Sequence, residues 1–278
     1  MDSDGLDLPP LPPLGGAGNG TPEVCDGVDN DEDGQIDNVD AGGDGICDCL
    51  VIGTVGSIGP WSDGGNVFLD WLGARSPSPT IELGVEELTP ERLAGINVVV
   101  VLRASTNELV VNDQVSPARA PFSEVEVKNF EAWVKAGGGV MTTAGYEDNE
   151  AAEVVNVNTL LAPFNVGYST TNTALSSAVE NWNAGHPVSN GISYVYAENG
   201  VVVEPGDGEI VARDEQDQVA LAAEEVGEGH VLVFGDEWIT YDSEWTGNRE
   251  VELLWVNMLK WLTPVRQCQV PVPPELFE

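Results

Sequence analysis

Four apolar runs are spaced along the chain: "LVIGTVGS" (50–57), "INVVVVLRAS" (96–105), "GGGVMTTAGY" (137–146) and "GHVLVFGDEW" (229–238). They are near-continuous rather than alternating. That pattern predicts strands buried on both faces, as in a parallel sheet with helical crossovers. Helical stretches fit between them: "NVFLDWLGA" (66–74), "TPERLAGI" (89–96) and "FSEVEVKNFEAWVKAGGG" (122–139). In the last, Ser123 and Glu126 make a capping box, and Lys135 and Gly137 close the C-terminal end. A final helix, "REVELLWVNMLKWL" (249–262), carries Val251, Leu254, Trp255, Met258, Leu259 and Leu262 on one stripe, which predicts packing on the sheet. The expected fold class is therefore α/β.

The flanks break this pattern. Residues 1–24 are rich in Pro and Gly and read as a tether that buries too little apolar surface to order itself. Residues 25–49 hold three cysteines and eight aspartates. The domain proper is expected over 50–264, with a tail at 265–278. With 278 residues, 42% of them hydrophobic, the chain suffices for one large domain and a small appendage.

Charge narrows the partners. Ten Lys and Arg stand against 47 Asp and Glu, a formal net charge of −37, which argues against nucleic acid or an anionic membrane surface and favours cations. No run of about 20 apolar residues exists, so no membrane span is expected. The first residues carry neither a basic region nor an apolar one, and Met1 reads as the start of a trimmed chain whose export signal has been removed. Four cysteines, Cys25, Cys47, Cys49 and Cys268, predict two disulfides and hence an oxidising, extracellular or cell-surface location. Zinc is the competing reading; the C-x-C spacing of Cys47 and Cys49, the absence of a nearby histidine and the surrounding hard oxygen donors weigh against it.

The acidic segment has calcium-loop spacing. Asp29, Asp31 and Asp33 alternate, Gly34 allows the sharp turn, Gln35 offers a backbone carbonyl, Asp37 a direct or water-mediated ligand, and Asp40 stands where the closing glutamate usually falls. Calcium is therefore the expected cofactor. Neither flank carries a helix signal, so the cysteines would do the stapling. "CDGVDNDEDGQID" resembles the metal-binding motif of secreted bacterial proteins of the MopE type and, more loosely, the aspartate-rich calcium repeats of thrombospondin type 3. The motif usually has a second cysteine where Glu32 stands here. That departure leaves Cys25 needing another partner, Cys47 or Cys49. A bridge from Cys49, just before the first strand, to Cys268, just after the last helix, would clamp the tail to this segment and stabilise by roughly 4–5 kcal/mol on the chain-entropy account.

From about Leu50 to Pro264 the chain resembles class I glutamine amidotransferase-like domains, in the broad sense that includes ThuA-like proteins and the related domain of intraflagellar transport proteins. The residues that carry this are "FEAWVKAGGGVMTTAGY", "HPVSNGI" (186–192) and "GEGHVLVFGDEWITYDSEW" followed by "LLWVNMLKWL". The resemblance implies a flavodoxin-like, mainly parallel sheet sandwiched by helices, with a site at the strand C-termini, as in open α/β sheets generally. Catalytic members have a cysteine on the elbow after the third strand and an H-x-E pair near the end. Here the elbow is Thr142-Thr143-Ala144-Gly145-Tyr146, and His230 is followed by Val231 and Leu232. Neither histidine has a recognisable spacing to Thr143, so threonine is a poor substitute nucleophile.

A surviving pocket would be lined from the strand-end loops by Ser57, Trp61, Asp63, Arg103, Ser105, Thr143, Tyr146, Asp236, Glu237, Trp238 and Trp245, with His186 joining from the "HPVSNGI" turn. Aromatic faces beside carboxylates suit sugars, and Arg103 suits an anion. The plainer readings are tryptophans packed under their loops, Asp236 and Glu237 as caps, His186 bonded to backbone, and His230 as a structural residue. The function expected is an exported, calcium-stabilised, non-catalytic binding or assembly protein that associates with itself or with other surface proteins. The alternative is a carbohydrate-binding protein or hydrolase using the strand-end residues.

Overall fold

The structure, a computed structural model, describes residues 21–25, 28–34, 37–40, 47–60, 64–74, 80–145, 151–171, 174–176, 178–197 and 199–263. Gln35, Trp61, Asp63, Tyr146, Cys268, most of the tether and the whole tail lie outside the described residues. The first half of the domain runs β1 (Ile52–Val55), α1 (Asn66–Gly73), β2 (Ile81–Gly84), α2 (Pro90–Leu93) and β3 (Val98–Val101). A hairpin, β4 (Leu109–Val111) and β5 (Gln114–Ser116), leads to α3 (Glu124–Lys135), β6 (Gly139–Thr142) and α4 (Ala151–Leu161). Six short strands follow: β7 (Gly167–Tyr168), β8 (Ala178–Trp182), β9 (Val195–Tyr196), β10 (Val203–Glu204), β11 (Glu209–Asp214) and β12 (Val219–Val226). The chain closes with β13 (Gly229–Phe234), α5 (Asp242–Gly247) and α6 (Arg249–Leu262).

Nine strands form one sheet in the order β2-β1-β3-β6-β13-β12-β11-β8-β9. The pairings from β2 to β13 are parallel, and those from β13 to β9 are antiparallel. The continuous apolar runs have a direct cause. Val98 and Val100 face one layer with Ile52, Met141, Leu232 and Phe234, while Val99 and Val101 face the other with Val55, Val140, Val231 and Val233. Helices α1 and α6 cover the first layer through Phe68, Leu72 and the Val251–Leu262 stripe; α2, α3 and α4 cover the second through Leu93, Phe130, Trp133, Val157 and Leu160. The fold is α/β and flavodoxin-like, with helices on both faces.

Local signals set the best-marked helices. At α3, Ser123 Oγ accepts from the Glu126 N–H at 3.2 Å while Glu126 Oε2 accepts from the Ser123 N–H at 2.8 Å, the reciprocal box that the sequence spells. Glu126 also receives Arg119 and the Leu88 N–H, at 2.5 and 3.1 Å, so one carboxylate ties the loops after β2 and β5 to the start of α3. Helix α6 spans 249–262 as the stripe predicts.

The hydrophobic pattern predicts no strand between residues 147 and 228, yet the antiparallel half of the sheet lies there. Strand β12, "VALAAEEV", is built mostly from residues of low strand propensity and acquires its conformation from its neighbours. Its hairpin to β13 turns at Gly227, whose φ is +65°, a left-handed value that reverses the chain in two residues and makes β13 antiparallel to β12.

Candidate functional site

Two places hold the residues with chemistry: the acidic segment ahead of β1, and the C-terminal ends of β1, β3, β6 and β13. In the acidic segment, Asp29 anchors the turn, its two carboxylate oxygens accepting from the Asp33 and Gly34 N–H groups at 3.1 and 2.9 Å. Gly34 has φ +92°, as the tight winding requires. Glu23, which the motif spacing does not single out, folds back over the loop; its Oε1 accepts from the Asp31 N–H at 2.7 Å and its Oε2 from the Asp37 N–H at 3.0 Å. Carboxylate oxygens of Glu23, Asp29 and Asp31 then lie within 4.8 Å of one another, a donor set that could hold a metal ion. Three carboxylates and no sulfur or imidazole suit a hard cation such as calcium, with carbonyls and water filling the remaining positions. Of the spaced set, Asp29 and Asp31 thus converge. Asp33, Asp37 and Asp40 stand outside this trio; Asp33 Oδ2 accepts from Asn38 Nδ2 at 3.0 Å, and Asp37 is fully buried.

The staple differs from the bridge expected between Cys49 and Cys268. Cys49 is bonded to Cys25, with Cα atoms 5.4 Å apart. The fold-back of Glu23 brings Cys25 to the turn at 47–50, whereas Cys47, also disulfide-bonded, lies on the other side of that turn with its Sγ 3.2 Å from the Asp37 carbonyl oxygen. Asp48 N–H donates to the Val39 carbonyl at 2.7 Å, pinning the loop to the residues that lead directly into β1.

At the strand ends, most of the expected pocket residues are engaged in packing. Arg103, 2% exposed, donates to Ser116 Oγ at 2.8 Å and to the Asn107 carbonyl at 3.1 Å, and Ser57 Oγ meets Ser116 Oγ at 2.7 Å. The hairpin β4–β5 therefore occupies the guanidinium. Buried Thr143 turns its hydroxyl to the Val101 carbonyl, and Ser105 Oγ accepts from the Asn107 N–H at 3.1 Å. Asp236 caps the next turn, accepting from the Trp238 N–H at 2.9 Å. Glu237, 4% exposed, accepts from the Tyr241 hydroxyl. Burial first, and then the Glu237 carboxylate beside it, push the Tyr241 phenol far above its ordinary value, so it stays a donor. Trp245 packs between Phe68 and Trp71, with its indole N–H on the Ile239 carbonyl. Trp238, half-buried, lies edge-on to Tyr196 at 5.3 Å.

His186 is elsewhere. It sits on the β8–β9 connection, caps a short turn by accepting the Val188 N–H at its Nδ1 (3.2 Å), and packs on Trp261 beside His230. His230 opens β13 and Asp236 lies beyond its far end, so the two groups are separated by roughly 20 Å at about 3.3 Å per residue. His186 therefore cannot act with Asp236 and Glu237. No sequence signal separates them, because the separation arises from the direction of β13.

No protein-family model matches the chain, and no curated protein matches it. Solved structures are similar in fold. The mmIFT52 N-terminal domain shares 14% identity at a TM-score of 0.51, over 75% of this chain and 97% of that one. The cytoplasmic protein STM3548 from Salmonella typhimurium shares 19% identity at 0.51, over 77% and 99%. A ThuA-like protein from Bacteroides uniformis shares 15% identity at 0.49, over 77% and 91%. At these identities the first two likenesses show the fold alone, an α/β sheet with helices on both faces.

Proposed function

We propose that this is an exported, calcium-stabilised, non-catalytic protein whose α/β domain serves binding or assembly at a cell surface or outside the cell. The observation that carries the reading is the convergence of Glu23, Asp29 and Asp31 in a loop stapled by Cys25–Cys49 directly ahead of β1. An ion there would neutralise three crowded carboxylates and tie the loop to the sheet. The disulfide supports an oxidising compartment. The engagement of Arg103, Thr143, Asp236 and Glu237 in packing supports a structural use of the strand ends.

The test is thermal unfolding of the whole, non-reduced chain with calcium and with chelator. At calcium about 100-fold above its dissociation constant, preferential binding to the folded state should add about 2.7 kcal/mol. The shift should vanish in the Glu23→Gln, Asp31→Asn double variant. No calcium-dependent shift in the unaltered protein would refute the reading. A second reading, carbohydrate binding or hydrolysis at the strand ends, is favoured by half-buried Trp238 set edge-on to Tyr196. Saturable binding of an oligosaccharide that is lost in Trp238→Ala would support it.

A further inference from the structure

His186 lies at a cavity on the opposite end of the sheet from Asp236 and away from the acidic segment, with His230 stacked on one of its walls, Trp261. The cavity, about 360 Å³, is lined by His186, Glu209, Glu224, Glu225 and Trp261, together with Gly185, Pro187 and Ala223. This is at the small end of ligand sites, which run about 300–1,000 Å³. The register explains the grouping. Glu225 pairs with His230 and Glu209 with Ala223, so both glutamates and His230 project to the α6 face, where Trp261 stands. Trp261 is held from behind by His230, stacked on it at 4.4 Å and 25°.

Each group in the cavity has a defined hydrogen-bonding role. His186 is 95% buried, given its 5% exposure, and its Nδ1 accepts the Val188 N–H, so the neutral ring carries its proton on Nε2. That Nε2–H has no partner among the described residues. The tautomer is a poor metal ligand at Nε2 and a ready donor to an oxygen. Burial, chiefly, holds the His186 imidazole below its ordinary pKa against the pull of Glu209 and Glu225, so it is neutral at pH 7. Glu225 and Glu209 supply two negative acceptors; neither forms an ion pair among the described residues, and Glu209 is steadied by Asn183 Nδ2 at 2.6 Å. Trp261 adds an apolar wall.

A complementary ligand has positively charged donors for the two carboxylates, an oxygen acceptor for His186 Nε2–H, and an apolar face for the indole. We propose that this cavity binds a hydroxylated organic amine, of the class of a single amino sugar, held by Glu209 and Glu225 through its ammonium and by His186 through a hydroxyl. The net charge of −37 favours the approach of such a cation. The site is independent of the calcium reading and of the strand ends.

With two histidines in the chain, their imidazole proton resonances report on this place alone. Glucosamine titrated into the calcium-saturated, non-reduced protein at neutral pH should displace the His186 resonance saturably. Glucose, which lacks the charge, and cyclohexylamine, which keeps one ammonium on a ring but lacks the hydroxyls, should each bind at least roughly tenfold more weakly, about the worth of one hydrogen bond. Glu209→Gln with Glu225→Gln, both at the strand surface, should weaken glucosamine by a similar factor or more while leaving the thermal transition in place. Calorimetric titration of the unaltered protein gives the same affinities without any variant. Absence of saturable displacement, equal affinity for glucose or for cyclohexylamine, or unchanged affinity in the double variant would each overturn the proposal.

Discussion

Replacing Glu126 by Gln should cost this protein much more stability, relative to the unaltered chain, at neutral pH than in acid. The carboxylate accepts from Arg119, from the Leu88 N–H and from the Ser123 N–H, and the Arg119 side chain is 1% exposed. Gln supplies one oxygen and turns an N–H₂ donor toward groups that are themselves donors. It also leaves the guanidinium buried without its counter-charge. Removing one partner of a buried pair costs about 3–5 kcal/mol, a large part of a typical folding free energy of about 5–15 kcal/mol. Burial alone would raise the Glu126 carboxyl, but the Ser123 N–H, then Arg119 and Leu88, outweigh it and hold the group below its ordinary value of about 4.3. A depressed folded pKa contributes stability above the unfolded pKa and loses it as pH falls through the folded one. The wild-type advantage over Glu126→Gln should therefore be complete at neutral pH and shrink in acid below about pH 4. Urea unfolding at several pH values measures it as a difference in midpoint at constant slope. A loss under about 1 kcal/mol at neutral pH, or a gap that does not change with pH, would refute the argument. The Arg119→Met, Glu126→Gln pair should recover part of the loss, since no charge is then buried alone and the introduced amide keeps one acceptor oxygen for the Leu88 or Ser123 N–H.

Two further outcomes check the packing. Non-reducing peptide mapping should recover Cys25 with Cys49 and, since Cys268 is the one other cysteine in the chain, Cys47 with Cys268; any peptide joining Cys49 to Cys268 contradicts the fold-back of Glu23. Tyr241→Phe should cost about 1–3 kcal/mol in thermal or urea unfolding, because it takes a donor from the buried Glu237 carboxylate. A neutral result would mean that water reaches Glu237.

What the sequence alone determined is what short-range chemistry decides. The β1, β3, β6 and β13 runs are strands because four to six apolar residues buried on both faces have few other conformations open to them. The ends of α3 are set by Ser123 and Glu126, three residues apart, and α6 by a stripe that repeats with the helical turn. The acidic loop is legible for the same reason, since Asp29 to Gly34 bond mainly to one another.

Tertiary structure decided the rest. Glu23 becomes a candidate ligand only because its carboxylate bridges the Asp31 and Asp37 N–H groups, and Cys25 meets Cys49 as a result of the same fold-back. The antiparallel half depends on the reversal at Gly227 and on neighbours that hold Ala- and Glu-rich strands in place. His186, Glu209, Glu225 and Trp261 come from four separate elements and share a cavity through strand register and the docking of α6. Local bonds leave their signature in adjacent residues. Contacts between distant segments are selected by how much burial and pairing the whole chain gains together, which no short stretch encodes.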